Sequence, residues 1–471
     1  MSPWKALLPA AVLAAVVGLG SGCGPEENPE PGCNVLLVTL DTTRADHLGL
    51  YGHAAATSPV LDAFAAQAAV FERAIAQAAV TPVSHASILT GLNPYHHGLR
   101  VLHGHVGFKL EPQIESLPET WTALGGETAA FVSAFPVTET FGLDQGFAHF
   151  DAEFPQADGE GLITEEGFVN TGASQRRADL TTDRAIAWLN EHCASDEAAP
   201  FLLWVHYFDP HDPALKPPER ELQRMLKQDF VPHSRGQRDM LRAIYDAEIR
   251  YMDFHLGRLL RACMRSGVWD ETMVVIVADH GEGLGDHDWW THGILYEEQI
   301  RVPLVVRLPD MEAGLRVPSL VRTIDLVPTI LDVAAVPRAE WPRVDGVSLT
   351  TAIETGQTET PLLGYSDSIN MLNYQRPGKG ERWNRKDDKL YCLTEGDAKL
   401  IYHQLNPEET EFYDLSTDPK ETHNLADRHP PAMVRLLRKL KQLGAFSDIL
   451  PGMTPSDPER VARLRSLGYV E

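Results

Sequence analysis

The segment from Thr81 through Pro82, Val83, Ser84 and His85 to Gly91 combines hydroxyls with an imidazole at what reads as a turn entering a short helix. A helix start offers unpaired backbone N–H groups and the positive end of the peptide dipole, which favour an anion such as phosphate or sulfate. A hydroxyl that cleaves an ester of such an anion would sit there. Thr, Ser and His are equally common as plain helix caps. The segment therefore gains chemical meaning only from its company.

That company is dense. Asp279-His280-Gly281-Glu282, then Gly285-Asp286-His287-Asp288, then Thr291-His292-Gly293 put four carboxylates and three imidazoles between Asp279 and His292. Isolated histidines usually cap or fill, whereas His, Asp and Glu at this density suit a divalent-metal or phosphate site. A second group, His206-Tyr-Phe-Asp209-Pro-His211-Asp212-Pro213, uses prolines to hold its backbone in fixed directions. Asp41 alone would pass for a solvated turn carboxylate.

The elements that must position these residues can be read from periodicity. Short apolar runs at Asn34 to Leu40, Ala129 to Val132, Phe201 to His206, Met273 to Ala278 and Pro303 to Leu308 read as buried strands of a parallel sheet. Leu61 to Ile75, Thr182 to Leu189 and Asp239 to Arg265 carry apolar residues at helical spacing. Alternation of the two predicts an α/β sheet with helices on both sides. Asp41, the Asp209–His211 pair and the Asp279–His280 pair then each fall just beyond a strand's C-terminal end, the edge along which open α/β sheets bind ligands. After about Asp345 the texture turns to Gly, Pro and charged clusters, with short patterns such as Lys399-Leu400-Ile401-Tyr402, which predicts a smaller C-terminal subdomain ending in a charged helical pattern at Asp457 to Leu467.

Composition limits the function classes. A chain of 471 residues with 43% hydrophobic content is long enough for one large or two smaller folded units. Net charge of −25, from 66 acidic and 41 basic side chains, opposes nucleic-acid binding, and no nucleic-acid partner is expected. Positive charge at an anion site would have to come from metal ions. Lys5, the apolar run Ala6 to Leu19 and the small residues before Cys23 read as a secretory signal over 1–23, too short to favour a spanning helix. Cys23 resembles a bacterial lipoprotein processing site, with Leu19 one place further upstream than usual. Residues 24–33 read as a Pro- and Glu-rich tether. Export to a bacterial periplasm or cell envelope is expected, with membrane contact only through a lipid anchor at Cys23. Cys33, Cys193, Cys263 and Cys392 show no CxxC spacing, which leaves room for one or two disulfides at most.

Taken in order and spacing, Asn34 to Asp41, Thr81 to Gly91, His206 to Pro213, Asp279 to His292 and Leu295 to Pro303 resemble the sulfatases of the alkaline phosphatase superfamily. Phe412 to Pro419 and Asn424-Leu425-Ala426 look like that family's C-terminal region. The resemblance implies an alkaline-phosphatase-like α/β fold, a mostly parallel sheet flanked by helices over 34–345 and a smaller α+β subdomain over 346–471. It also implies that Asp41, Asp279 and His280, with Thr81, hold a divalent cation, and that His211 and His292 act on the anionic group and the leaving oxygen. His292 stands where many sulfatases use lysine, and Thr42 where many have a second aspartate. His85 replaces an arginine and is expected, with Thr81, His211 and His292, to be catalytic. Ser84, Asp209 and His206 are expected to bind substrate.

Thr81 stands where formylglycine-dependent sulfatases begin this motif with a cysteine or serine. Threonine cannot be oxidised to that aldehyde, so formylglycine is not expected. An unmodified threonine nucleophile is instead similar to the phosphoethanolamine transferases of the superfamily. The expected activity is hydrolysis of a sulfuric or phosphoric ester, small-molecule or glycan, through Thr81 and a divalent cation, calcium or zinc or manganese. The alternatives are phosphotransfer onto a cell-envelope acceptor and a catalytically silent module that binds sulfated or phosphorylated polymers.

Overall fold

The computed structural model describes residues 30–100, 109–154, 162–163, 169–170, 175–195, 197–211, 217–227, 237–369 and 388–446. The segment expected to be a secretory signal, Cys23, most of the expected tether, Asp212 and Pro213, and the expected terminal helical pattern lie outside these residues.

The site rests on one sheet. Its strands are β1 (Asn34–Leu40), β2 (Ala69–Ile75), β3 (Glu127–Val132), β4 (His149–Asp151), β5 (Phe201–Tyr207), β6 (Thr272–Ala278), β7 (Arg301–Arg307) and β8 (Leu315–Arg322). Their spatial order is β8-β2-β7-β6-β1-β5-β3-β4. β1 lies parallel between β5 and β6, pairing Leu40 with Tyr207 on one side and with Ala278 on the other. Only β7 runs antiparallel to its neighbours β2 and β6. All seven residues of β1, of β5 and of β6 are buried, as expected for strands covered on both faces. The central strands thus end side by side, which brings Asp41, Asp279 and the residues after Tyr207 to one edge.

Five of the expected strands are present with nearly the expected bounds. The segment Leu61 to Ile75 is not one helix. It divides into a helix, Pro59–Phe64, a 3-10 turn, Ala65–Gln67, and strand β2. Pairing on both edges, with β8 and β7, satisfies the backbone of Ala69–Ile75 in the sheet, which outweighs the helical spacing of its apolar residues. The helices α1 (Thr81–Thr90), α2 (Ala178–His192) and α3 (Gln237–Arg265) contain the other expected helical segments.

A second sheet of antiparallel strands follows: β9 (Leu363–Ser368), β10 (Leu390–Glu395), β11 (Ala398–His403) and β12 (Glu411–Asp414). Glu395 pairs with Ala398, so Gly396-Asp397 forms a two-residue hairpin turn, and Gly396 takes the positive φ of 56° such turns demand. The helix Pro431–Gln442 covers one face with Met433, Leu436 and Leu440. This sheet touches the first at the site edge, where Ser368 Oγ donates to the Gly293 carbonyl, 2.6 Å away, beside His292. The four described cysteines are all free thiols, so no disulfide forms among them.

Candidate active site and metal centre

α1 is buried at every position, and its first residue, Thr81, is 0% exposed. Val80 precedes it in an extended conformation, and Pro82 at the second position has no N–H to leave unsatisfied. Gly91 ends the helix at φ 68°, the left-handed conformation of a helix C-cap. Thr81 Oγ1 is 3.2 Å from His280 Nε2 and also interacts with the Asp41 carboxylate. Ser84 Oγ donates to the Asp279 carbonyl at 2.7 Å, which ties the helix to the end of β6.

The imidazole protons can be assigned from their partners. His280 Nδ1–H donates to the Gly281 carbonyl at 2.9 Å, which leaves the Nε2 lone pair facing Thr81. His292 Nδ1–H donates to the Ala79 carbonyl at 3.1 Å, so its Nε2 is the acceptor toward His211 Nε2, 3.2 Å away. His211 therefore carries the one proton between them. Both residues project into the space beside His280, whose ring centroid is 4.6 Å from that of His292.

Asp41 and Asp279 are both 0% exposed. Asp279 Oδ1 accepts the N–H groups of Thr42, at 3.0 Å, and His280, at 2.7 Å. Asp41 Oδ2 accepts from His206 Nε2–H at 3.1 Å. The remaining oxygens, Asp41 Oδ1 and Asp279 Oδ2, have no hydrogen-bond partner, and neither has Thr42 Oγ1. One ligand atom each from Asp41, Asp279 and His280 lies within 4.8 Å of the others. Burial holds the Asp41 carboxyl well above the usual carboxylate range, and burial followed by the Asp41 charge does the same to Asp279. Burial lowers His280 and His292 to about 3, so neither supplies positive charge. Two orphaned carboxylate oxygens and an imidazole lone pair facing Thr81, with no compensating cationic side chain among the described residues, make a donor set that fits a divalent cation.

Thr42 holds φ 49°, a strained value for a β-branched residue. Tyr245 of α3 fastens it: the hydroxyl donates to the Thr42 carbonyl at 2.7 Å and accepts the Arg44 N–H at 2.8 Å. This strained turn is what aims the Thr42 N–H at Asp279. Nothing in the helical pattern of Asp239 to Arg265 marks Tyr245 for this task.

Three expected site residues are held by contacts within the protein. His85 Nδ1–H donates to the Thr81 carbonyl at 2.9 Å and lies 3.4 Å from Asp279 Oδ2, while Nε2 faces the Thr39 hydroxyl at 3.1 Å. Trp204 Nε1–H donates to the same Thr39 oxygen, leaving the Thr39 proton for His85. Burial pushes His85 well below its ordinary value, which favours the neutral ring. Asp209 Oδ1 accepts the Ala178 N–H at the start of α2, 3.2 Å away, which fixes it as a helix-end acceptor; burial raises its carboxyl to about 6. His206 accepts the Ser133 N–H at Nδ1 and so must present Nε2–H to Asp41. Both of its ring nitrogens are thus engaged, with Ser133 and with Asp41. Such outer partners typically matter 10–100-fold for metal affinity, and replacing His206 by Phe is expected to weaken divalent-cation binding by about that factor in a metal titration. Unchanged affinity would show that Asp41 needs no such support.

His287 also leaves the site. Nδ1–H donates to Glu298 Oε1 at 2.8 Å, Nε2 lies 3.2 Å from the Glu421 carbonyl, and the ring stacks on Tyr296. Burial opposes the charge, yet the Glu298 carboxylate raises His287 to about 9. A folded-state value above the ordinary one stabilises fully below about pH 6.5 and fades as pH rises toward that higher value. His287→Asn, which tolerates the residue's φ of 46°, is expected to lower stability by about 2 kcal/mol near pH 6. In urea unfolding that difference should shrink as the pH approaches 9 and beyond. A difference constant with pH would mean that His287 contributes packing alone.

A doubly flanked, mostly parallel sheet with this acid and imidazole set at its C-terminal edge defines an α/β ester hydrolase of the alkaline-phosphatase kind. The Sulfatase family profile matches residues 33–336, and that of the N-sulphoglucosamine sulphohydrolase C-terminal region matches 285–445. The chain belongs to the sulfatase family of the alkaline phosphatase superfamily. It is similar to an arylsulfatase of Clostridium perfringens, 26% identical over 83% of this chain and 90% of the relative. It is also similar to the multifunctional alkaline phosphatase superfamily protein PehA of Trinickia caryophylli, 24% identical over 87% and 94%. Among solved structures, a phosphonate monoester hydrolase of Agrobacterium radiobacter superposes with TM-score 0.63 at 22% identity, over 88% of this chain and 95% of that one. A second, determined in complex with D-glucosamine-2-N,6-O-disulfate, superposes with TM-score 0.68 at 21% identity, over 87% and 97%. These two share the fold.

Proposed function

We propose that this sulfatase-family hydrolase cleaves its sulfuric or phosphoric ester with the unmodified Thr81 hydroxyl as nucleophile. The observation that carries the reading is the buried Thr81 Oγ1 at the head of α1, 3.2 Å from the unprotonated His280 Nε2 and beside Asp41. Asp41, Asp279 and His280 would hold a divalent cation; when bound, it supplies the positive charge that polarises the ester oxygens and lowers the pKa of a neighbouring hydroxyl. Two carboxylates with one imidazole suit manganese or zinc better than a purely oxygen-liking calcium.

In this reading the Thr81 oxygen forms its bond to sulfur or phosphorus as the bond to the alcohol oxygen breaks, and the proton released from Thr81 ends on the departing alcohol. The His211 Nε2–H, shared with His292 Nε2 in the free enzyme, would be given up by His292 and donate to that leaving oxygen instead. Water then attacks the same sulfur or phosphorus and returns Thr81 to its hydroxyl form. Names of relatives support the sulfuric ester, since they include an N-acetylglucosamine-6-O-sulfatase and a choline-sulfatase, while PehA is named as multifunctional. The test is metal analysis with parallel turnover of an aryl sulfate, a phosphate monoester and a phosphate diester by wild type and Thr81→Ala. Turnover of at least one class, lost with Thr81, supports the proposal; undiminished turnover without Thr81 refutes it.

A further inference from the structure

A second group of metal-ligating side chains lies apart from this centre. His47 closes the 3-10 turn Ala45–His47 after β1, His53 follows in the next loop, and Asp246 projects from α3. One ligand atom from each lies within 4.8 Å of the others. His47 Nδ1 is 2.6 Å from Asp246 Oδ1, His53 Nε2 is 3.4 Å from Asp246 Oδ2, and the two imidazoles stack with centroids 4.9 Å apart. Their side chains are 11%, 20% and 15% exposed, so the cluster reaches solvent at its rim. The decisive detail is His53 Nε2, a buried atom that makes no well-aligned hydrogen bond and faces Asp246 Oδ2 at 3.4 Å, close enough for an ion pair when the imidazole is protonated.

We propose that His47, His53 and Asp246 form a zinc-type divalent-cation site, separate from the Asp41–Asp279–His280 centre. Two imidazole nitrogens and one carboxylate oxygen, completed by water, are a tetrahedral donor set. Arms of about 2.0–2.2 Å place ligand atoms about 3.3 Å apart, and the His53–Asp246 separation of 3.4 Å already meets that. The His47–Asp246 contact of 2.6 Å must open, by rotation of the carboxylate and release of the proton it shares with His47. Asp246 adjoins Tyr245, whose hydroxyl holds Thr42 and Arg44. An ion here therefore fastens the loop after β1 to α3 and supports the strained turn at Thr42. The competing occupant is a proton on His53.

The test is a zinc titration of the full protein against a chromogenic chelator, with wild type, His53→Ala and Asp246→Asn, plus anomalous diffraction at the zinc edge. The expected result is one zinc equivalent fewer in each variant and an anomalous peak among the three side chains in wild type. His53 is a loop residue at the rim, so His53→Ala remains informative should Asp246→Asn fail to fold. An unchanged stoichiometry in His53→Ala, or no peak between the imidazoles, would overturn the proposal and leave a proton-bridged pair.

Discussion

Thr81→Ala is expected to lower kcat by on the order of 10³-fold or more for the ester the enzyme prefers, with the fold intact. The side chain sits at the first position of α1, where alanine is well tolerated, and its methyl group is small. Loss of one buried hydroxyl is expected to cost only about 1 kcal/mol of stability. Ser84 is the other hydroxyl on that turn, but its proton is committed to the Asp279 carbonyl at 2.7 Å. Thr81→Ser keeps the oxygen while freeing χ1, so it should retain activity well above the alanine variant. Initial rates with folding checked by circular dichroism decide the matter. Wild-type kcat in Thr81→Ala would move the nucleophile to Ser84 or to water.

Asp279→Asn is expected to separate stability from function. Asn can still accept from the Thr42 and His280 N–H groups through its carbonyl oxygen, so the turn should survive. It removes one of two adjacent buried carboxyl groups that no cationic side chain among the described residues compensates. Chelator-treated Asp279→Asn should therefore melt higher than chelator-treated wild type. Restoring a divalent cation at about 100 times its Kd should stabilise wild type by about 2.7 kcal/mol and the variant by little. Turnover in the variant should fall by on the order of 10³-fold. An equal metal-induced shift in both proteins would remove Asp279 from the ligand set.

The sheet was largely readable because β1, β5 and β6 are buried on both faces and so appear as unbroken apolar runs. β2 was not, because the apolar residues of Ala69–Ile75 repeat at a helical spacing and only pairing with β7 and β8 shows its state. The acids and imidazoles at the strand ends were visible as types and places. Their division of labour was not, since it depends on protons passed between residues far apart in sequence: Ser133 sets the tautomer of His206, and Trp204 with Thr39 sets that of His85. Tyr245 leaves no trace in sequence because its role needs only a hydroxyl reaching a turn some two hundred residues earlier. His287 illustrates the converse, a histidine inside the richest motif that the positive φ of its backbone turns toward Glu298 and the second sheet.

The most direct measurement is peptide mapping by mass spectrometry of enzyme quenched during turnover of its preferred ester. A sulfo or phospho group on Thr81, absent from Thr81→Ala, is the expected result. The same group found on Ser84, or an adduct-free Thr81 in enzyme shown by burst kinetics to accumulate a covalent intermediate, would contradict the account.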